Sequence, residues 1–133
     1  MVTSEIRVAF GDTDPYGVIF FASYFKYFHR GIEDFLLARN LVPAEVFRNE
    51  EQKFGLPIVQ SSCRFLSPAR YGDRLLLETH LKKINRKILT FSFAIRREGE
   101  DKLVAEGEAT MVGINSRWKS RPLPDNLLDK LRD

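Results

Sequence analysis

The sequence is poor in metal- and redox-competent side chains, with one cysteine, Cys63, and two histidines, His29 and His80, among 133 residues. A single cysteine excludes an internal disulfide and any cysteine-rich metal site. Two isolated histidines are too few for a metal centre, so no metal is expected. Cys63 sits between Ser62 and Arg64 in a strand-like run. No helix start or histidine stands near it to favour the thiolate, so a buried structural thiol is expected rather than a nucleophile. Long hydrophobic runs are also missing, and no apolar stretch approaches the roughly 20 residues that span a bilayer. The first ten residues, MVTSEIRVAF, carry neither a basic leader nor an apolar signal core. A cytoplasmic protein without membrane association is the expectation.

Charge of one sign is scarce too. Lys and Arg number 21 against 18 Asp and Glu, a formal net charge of +3. The basic residues gather at Lys82-Lys83…Arg86-Lys87 and at Arg117…Lys119…Arg121. Neither group is interleaved with a stacking-aromatic RNP sequence or a paired zinc-ligand run, so no nucleic-acid partner is expected. A phosphate-bearing small molecule needs only a local patch of this kind, whereas nucleic acid asks for a broader one. The remaining composition, 44% hydrophobic and 29% charged, is that of an ordinary globular chain. Its length suits one domain, 1–133.

Residues 2–10 read as a strand, because Ile6, Val8 and Phe10 alternate with Glu5, Arg7 and Ala9. From about 22 to 39 the apolar residues Tyr24, Phe25, Phe28, Ile32, Phe35 and Leu36 fall at the three-four spacing of one helix face. Gly31 costs that helix about 1 kcal/mol against alanine, which points to close packing on a sheet. A short helix is expected near 44–51. Strands follow at 57–66, 73–84, 87–97 and 102–115, and a last helical turn or two at 125–131. Asn85-Arg86 and Glu98-Gly99-Glu100-Asp101 read as hairpin turns. One apolar helix against one antiparallel sheet is an α+β arrangement. Its edge strands must be covered or paired, and dimerisation through an edge is the natural remedy.

The chemistry concentrates in residues 8–24, VAFGDTDPYGVIFFASY. Pro15 confines Asp14 to extended backbone, and Gly17 allows a tight turn or a close approach. The helix that follows begins with N–H groups lacking internal partners, a ready site for negative charge. A carbonyl under attack becomes an oxyanion that such donors stabilise. A neighbouring carboxylate attacks the carbonyl or takes a proton from water. Tyr16, Phe20, Phe21 and Tyr24 are expected to exclude water and line an acyl pocket. Taken alone, the spacing equally fits Asp12 and Asp14 as turn and capping residues, and only the constraint from Pro15 favours Asp14.

The stretch FGDTDPYGVIFFASYFKYF resembles the signature of hot-dog-fold acyl-CoA thioesterases of the 4-hydroxybenzoyl-CoA thioesterase group. Gly55-Leu56-Pro57-Ile58-Val59, Ser67-Pro68-Ala69-Arg70-Tyr71-Gly72-Asp73, Arg86-Lys87 and Arg121-Pro122-Leu123-Pro124 continue the similarity over nearly the whole chain. The resemblance implies a long central helix wrapped by a curved antiparallel five-stranded sheet, in a homodimer or homotetramer with active sites shared between subunits. It implies hydrolysis of an acyl- or aroyl-CoA without a cofactor, coenzyme A being part of the substrate. The implied catalytic groups are Asp14, as nucleophile or general base, and the backbone N–H of Phe21. Gly17, Tyr24, Val59, Arg86 and Lys87 are the implied substrate-binding residues, the last two for the phosphates of coenzyme A. Many relatives carry a histidine or tyrosine where Phe21 stands and an acidic residue where His29 stands. A role for the backbone N–H is independent of that side chain. The alternative is a non-catalytic acyl-CoA or acyl-carrier binding module.

Overall fold

The helical and alternating patterns are realised as one helix packed across one antiparallel sheet. The computed structural model describes residues 1–132. In chain order the elements are β1 (Val2–Arg7), a 3-10 turn (Phe10–Asp12), α1 (Ser23–Leu37), α2 (Pro43–Phe47), β2 (Arg48–Asn49), β3 (Phe54–Gly55), β4 (Ile58–Phe65), β5 (Arg74–Ile84), β6 (Ile88–Arg97), β7 (Leu103–Val112) and α3 (Asp125–Arg132). The main sheet runs β1-β5-β6-β7-β4, every pair antiparallel, and β2-β3 form a separate ribbon. No helix among the described residues is long and apolar enough to cross a membrane.

The core forms where α1 meets the sheet. Tyr24, Tyr27, Phe28, Gly31, Ile32, Phe35 and Leu36 are the buried residues of α1. They face Leu75 and Leu77 of β5, Leu89, Phe91, Phe93 and Ile95 of β6, and Ala109 and Met111 of β7, all buried. Phe28 stacks on Phe93 with ring centroids 4.3 Å apart, and Phe35 meets Phe91 edge-on at 5.3 Å. Burying one such side chain contributes about 1.5–3 kcal/mol. Gly31 does what its position suggested: a Cβ there would collide with the Thr79 hydroxyl and Leu77. Gly107 of β7 gives the Phe28 ring the same room. Alanine at either position would push the helix off the sheet.

Three expectations need correction. The first strand stops at Arg7 rather than 10, because Asp12 folds back to accept the Ala9 N–H at 3.1 Å and the chain turns. The helix expected near 44–51 covers only Pro43–Phe47. Asn49 Oδ1 then accepts the Gln52 N–H and Lys53 takes a left-handed φ of +50°, which makes the β2-β3 ribbon. The last strand ends at Val112 instead of 115. The turn at Asn85 has Arg86 and Lys87 at its corners. It needs no glycine because Asn85 Oδ1 accepts the N–H groups of both Lys87 and Ile88.

Strand β4 pairs with β7 and with no other strand among the described residues. Seven of its eight residues are exposed, including Ile58, Val59 and Phe65. A bare strand edge carrying apolar side chains is a surface that pairs or is covered.

Candidate active site

The segment between the 3-10 turn and α1 is a small hairpin. Thr13 bridges Ile19, the Asp14 N–H donates to Val18 O at 2.9 Å, and the Phe20 N–H donates to Asp12 O at 2.8 Å. Its loop, Pro15-Tyr16-Gly17, closes with the Gly17 N–H on Asp14 O at 2.9 Å and Gly17 at φ +80°. This is the three-residue loop in which a left-handed glycine completes a turn. The hairpin brings the start of α1 back alongside the two aspartates.

The aspartates have different jobs. Asp12 is buried, and its carboxylate accepts from the Ala9 N–H, the Tyr27 hydroxyl at 2.9 Å and the Lys26 ammonium. Burial opposes its ionisation, but Lys26, the Ala9 N–H and Tyr27 together hold the carboxyl below the usual carboxylate range. Burial and the Asp12 charge in turn push the Tyr27 hydroxyl up. Asp12 therefore ties the hairpin to α1 with every strong acceptor position engaged. Asp14 is half-buried. Its Oδ1 accepts the Tyr16 N–H at 2.9 Å and the Val18 N–H at 3.4 Å. Its Oδ2 accepts from no group among the described residues, so one oxygen fixes the side chain and the other is open to a reactant. The N–H groups of Phe21 and Ala22 likewise meet no acceptor among the described residues.

Tyr24 is buried, its ring 5.4 Å from Phe65, and burial pushes its hydroxyl up to about 12. Burial also pushes the Cys63 thiol up to about 11, which fits the structural reading of that residue. Tyr16, Phe20 and Phe21 are exposed, as are Phe10 and Tyr71 beside them. In the single chain they do not close a pocket over Asp14, and an enclosing wall must come from elsewhere.

A cavity of about 740 Å³ lies at the other end of the sheet. It opens between the β2-β3 ribbon, the start of β4 and the segment after β7. Phe47, Phe54, Leu56, Ile58, Met111 and Trp118 supply its apolar and aromatic lining, and His29 enters from α1. The His29 ring lies 5.0 Å from Phe47, with Nδ1 3.0 Å from Glu33 Oε1. Sequence reasoning gave His29 no site role and missed the cavity, whose walls come from distant segments with no shared motif.

Val59, Arg86 and Lys87 belong to this end. Val59 adjoins Ile58, which pairs with Met111, and the Gly113 N–H donates to Lys87 O at 2.9 Å. Asp14, Gly17, Phe21 and Tyr24 belong to the other, where the Ile19 N–H donates to Ala69 O and Tyr24 packs on Phe65. From Ile58 to Phe65 the chain runs about 23 Å along β4. Within one chain the seven candidate residues thus form two groups at opposite ends of an edge strand.

Hairpin, helix start and sheet order define a thioesterase class of protein, and comparison with known proteins says the same. Residues 8–131 match the model of the thioesterase-like superfamily, and the chain belongs to that family. It is 33% identical over 121 residues to a 1,4-dihydroxy-2-naphthoyl-CoA hydrolase of Prochlorococcus marinus, covering 87% of this chain and 79% of that one. It is 28% identical over 114 residues to the 4-hydroxybenzoyl-CoA thioesterase of Pseudomonas sp., covering 84% and 81%. The crystal structure of a 1,4-dihydroxy-2-naphthoyl-CoA thioesterase from Synechocystis superposes with a TM-score of 0.90 at 27% identity, over 98% of this chain and 95% of that one. The fold is the hot-dog fold of these thioesterases.

Proposed function

We propose that this protein hydrolyses an acyl- or aroyl-CoA to the free acid and coenzyme A in the cytoplasm, as a homodimer or a homotetramer built from dimers. The observation that carries the reading is the Asp14 carboxylate, pinned through Oδ1 by two N–H groups with Oδ2 unengaged among the described residues. It lies in the same hairpin-to-helix segment as the Phe21 and Ala22 N–H groups, which likewise meet no acceptor among those residues. Asp14, ionised, attacks the thioester carbonyl or takes a proton from the attacking water. The Phe21 N–H donates to the oxygen that becomes negative, at the positive end of α1. In the general-base route the proton taken by Asp14 passes to the sulfur as the C–S bond breaks and coenzyme A leaves as the thiol. In the nucleophilic route coenzyme A leaves as the thiolate, which takes a proton from water, and a second water hydrolyses the acyl anhydride on Asp14 to release the acid.

The separation of the two groups supports the dimer. If β4 pairs antiparallel with β4 of a second copy about a two-fold axis between Ser61 and Ser62, Ile58 of one chain meets Phe65 of the other. That axis carries the cavity of each chain to the Asp14 hairpin of its partner. Gly17, Tyr24 and Val59 then line the junction, and Arg86 and Lys87 lie where the nucleotide phosphates emerge.

Steady-state hydrolysis of short, long, branched and aromatic CoA thioesters by wild type and Asp14→Asn tests the reading. Turnover should fall about 10³-fold in the variant with the fold retained. Wild-type turnover in the variant overturns the role of Asp14. Binding without turnover by wild type would make the protein a binding module.

A further inference from the structure

One aromatic residue on the rim of the cavity has no part in the chemistry above. Trp118, the single tryptophan of the chain, is 73% exposed and stands at φ +61°. Left-handed backbone is rare for a bulky side chain and persists only where the surroundings impose it. Here Asn115 imposes it. Its Oδ1 accepts the N–H groups of Arg117 at 2.9 Å and Lys119 at 3.1 Å, and its backbone O accepts the Trp118 N–H at 3.0 Å. Below the turn, Ile114 exchanges two 2.9 Å hydrogen bonds with Gly55 and bridges Ser120. The turn is anchored to the floor of the cavity at its base and fastened across its tip.

An indole held this way adds nothing to the core, yet it borders the cavity that Phe47, Phe54, Leu56, Ile58 and Met111 make apolar. A volume of about 740 Å³ accommodates a ring system, and aromatic walls favour flat ligands through offset stacking or edge contacts.

We propose that Trp118 is a specificity-determining residue whose indole packs against a planar aromatic acyl group in this cavity, so that the protein prefers aroyl-CoA thioesters to straight-chain ones. The proposal rests on the cavity being the acyl site, and it adds to that reading the residue that selects the acyl class. The adenine of coenzyme A is also planar, so the test must separate the two rings.

Because Trp118 is the only tryptophan, its fluorescence reports the contact directly. The probes are benzoyl-CoA and hexanoyl-CoA analogues with a methylene in place of sulfur, which are not hydrolysed, together with coenzyme A alone. The benzoyl analogue should quench or shift the indole emission saturably, with the hexanoyl analogue giving a smaller change and coenzyme A none. In parallel, Trp118→Ala should raise KM for benzoyl-CoA about five- to ten-fold more than KM for hexanoyl-CoA. The same ratio should appear with the corresponding N-acetylcysteamine thioesters, which lack the nucleotide. Quenching by coenzyme A alone as strong as by the benzoyl analogue overturns the proposal and assigns the indole to adenine. Equal KM changes for the two acyl groups overturn it as well. The fluorescence needs no turnover, so it separates this inference from the catalytic reading. Inactivity on every thioester with benzoyl-selective quenching would remove only the hydrolase, and loss of turnover in Asp14→Asn without quenching would remove only Trp118.

Discussion

The Asp14 hairpin and the cavity differ in how they are built. The hairpin is contiguous, residues 12–20 closed by backbone hydrogen bonds and fixed to α1 through Asp12. It holds reactive groups with no space around them. The cavity draws on α1, the β2-β3 ribbon, the start of β4 and the turn at 115–119. It offers space, and the carboxylate in its lining, Glu50, is paired with Arg48 at the surface. A catalytic group is placed to a fraction of an ångström by short-range bonding, whereas a pocket is the gap left between elements meeting from far apart. With the two split along an exposed strand, the second copy proposed above would be a part of the site rather than a packing accident.

That division is most directly broken at the edge itself. Ser61 and Ser62 lie on exposed β4 and face each other across the inferred two-fold axis. Replacing both with glutamate (Ser61→Glu with Ser62→Glu) sets like charges opposite one another, which destabilises strand pairing. Sedimentation should show monomers, and kcat/KM should fall about 100-fold because the cavity no longer meets a hairpin. A folded monomer with wild-type kinetics would put both halves within one chain.

A finer test separates holding the hairpin from doing its chemistry. Asp12→Asn removes the charge that Lys26, Tyr27 and the Ala9 N–H share, costing about 2 kcal/mol by analogy with hydrogen bonds to charged groups. Its pKa is lowered on folding, so the contribution is complete above about 4, the ordinary carboxylate value, and is lost as pH falls through the lower folded value. Melting temperature followed from pH 7 to pH 2 should therefore converge for wild type and variant at the acid end. In the same variant kcat should fall while KM for the CoA thioester holds. A rise in KM alone would place Asp12 with the cavity instead.

The two halves also differ in how far they could be read from the chain. The three-four spacing from Tyr24 to Leu36 gave α1 to within two residues, and Asp-Pro with Gly17 pointed to a turn, though not to the hairpin around it, because both signals are local. Tyr27 escaped the apolar pattern: its burial depends on a hydroxyl that reaches Asp12. The β2-β3 ribbon hid inside an apparent helix because Asn49 and Lys53 make its turn without glycine. The order β1-β5-β6-β7-β4 depends on pairings such as Ser62 with Glu108, which no short-range pattern encodes. Nothing in the run Asn115–Lys119 announces a tryptophan in left-handed backbone.

The smallest effect is expected at the outer limit of the cavity end, where Arg86 and Lys87 sit at the corners of the β5-β6 turn. Arg86 is exposed and makes no side-chain hydrogen bond among the described residues, while its carbonyl accepts the Leu123 N–H at 2.7 Å. The backbone of the turn is thus fixed, and the phosphate contact proposed for the guanidinium would persist unchanged from bound substrate to transition state. Removing such uniform binding raises KM and leaves kcat nearly alone. Arg86→Ala should raise KM for CoA thioesters about ten-fold, the size of one charge-assisted hydrogen bond, and the effect should shrink with added salt. With an N-acetylcysteamine thioester, which has no phosphates, the variant and wild type should match. An equal loss on both substrates would mean that Arg86 shapes the cavity through the turn, and the boundary between nucleotide and acyl contacts would have to move inward from it.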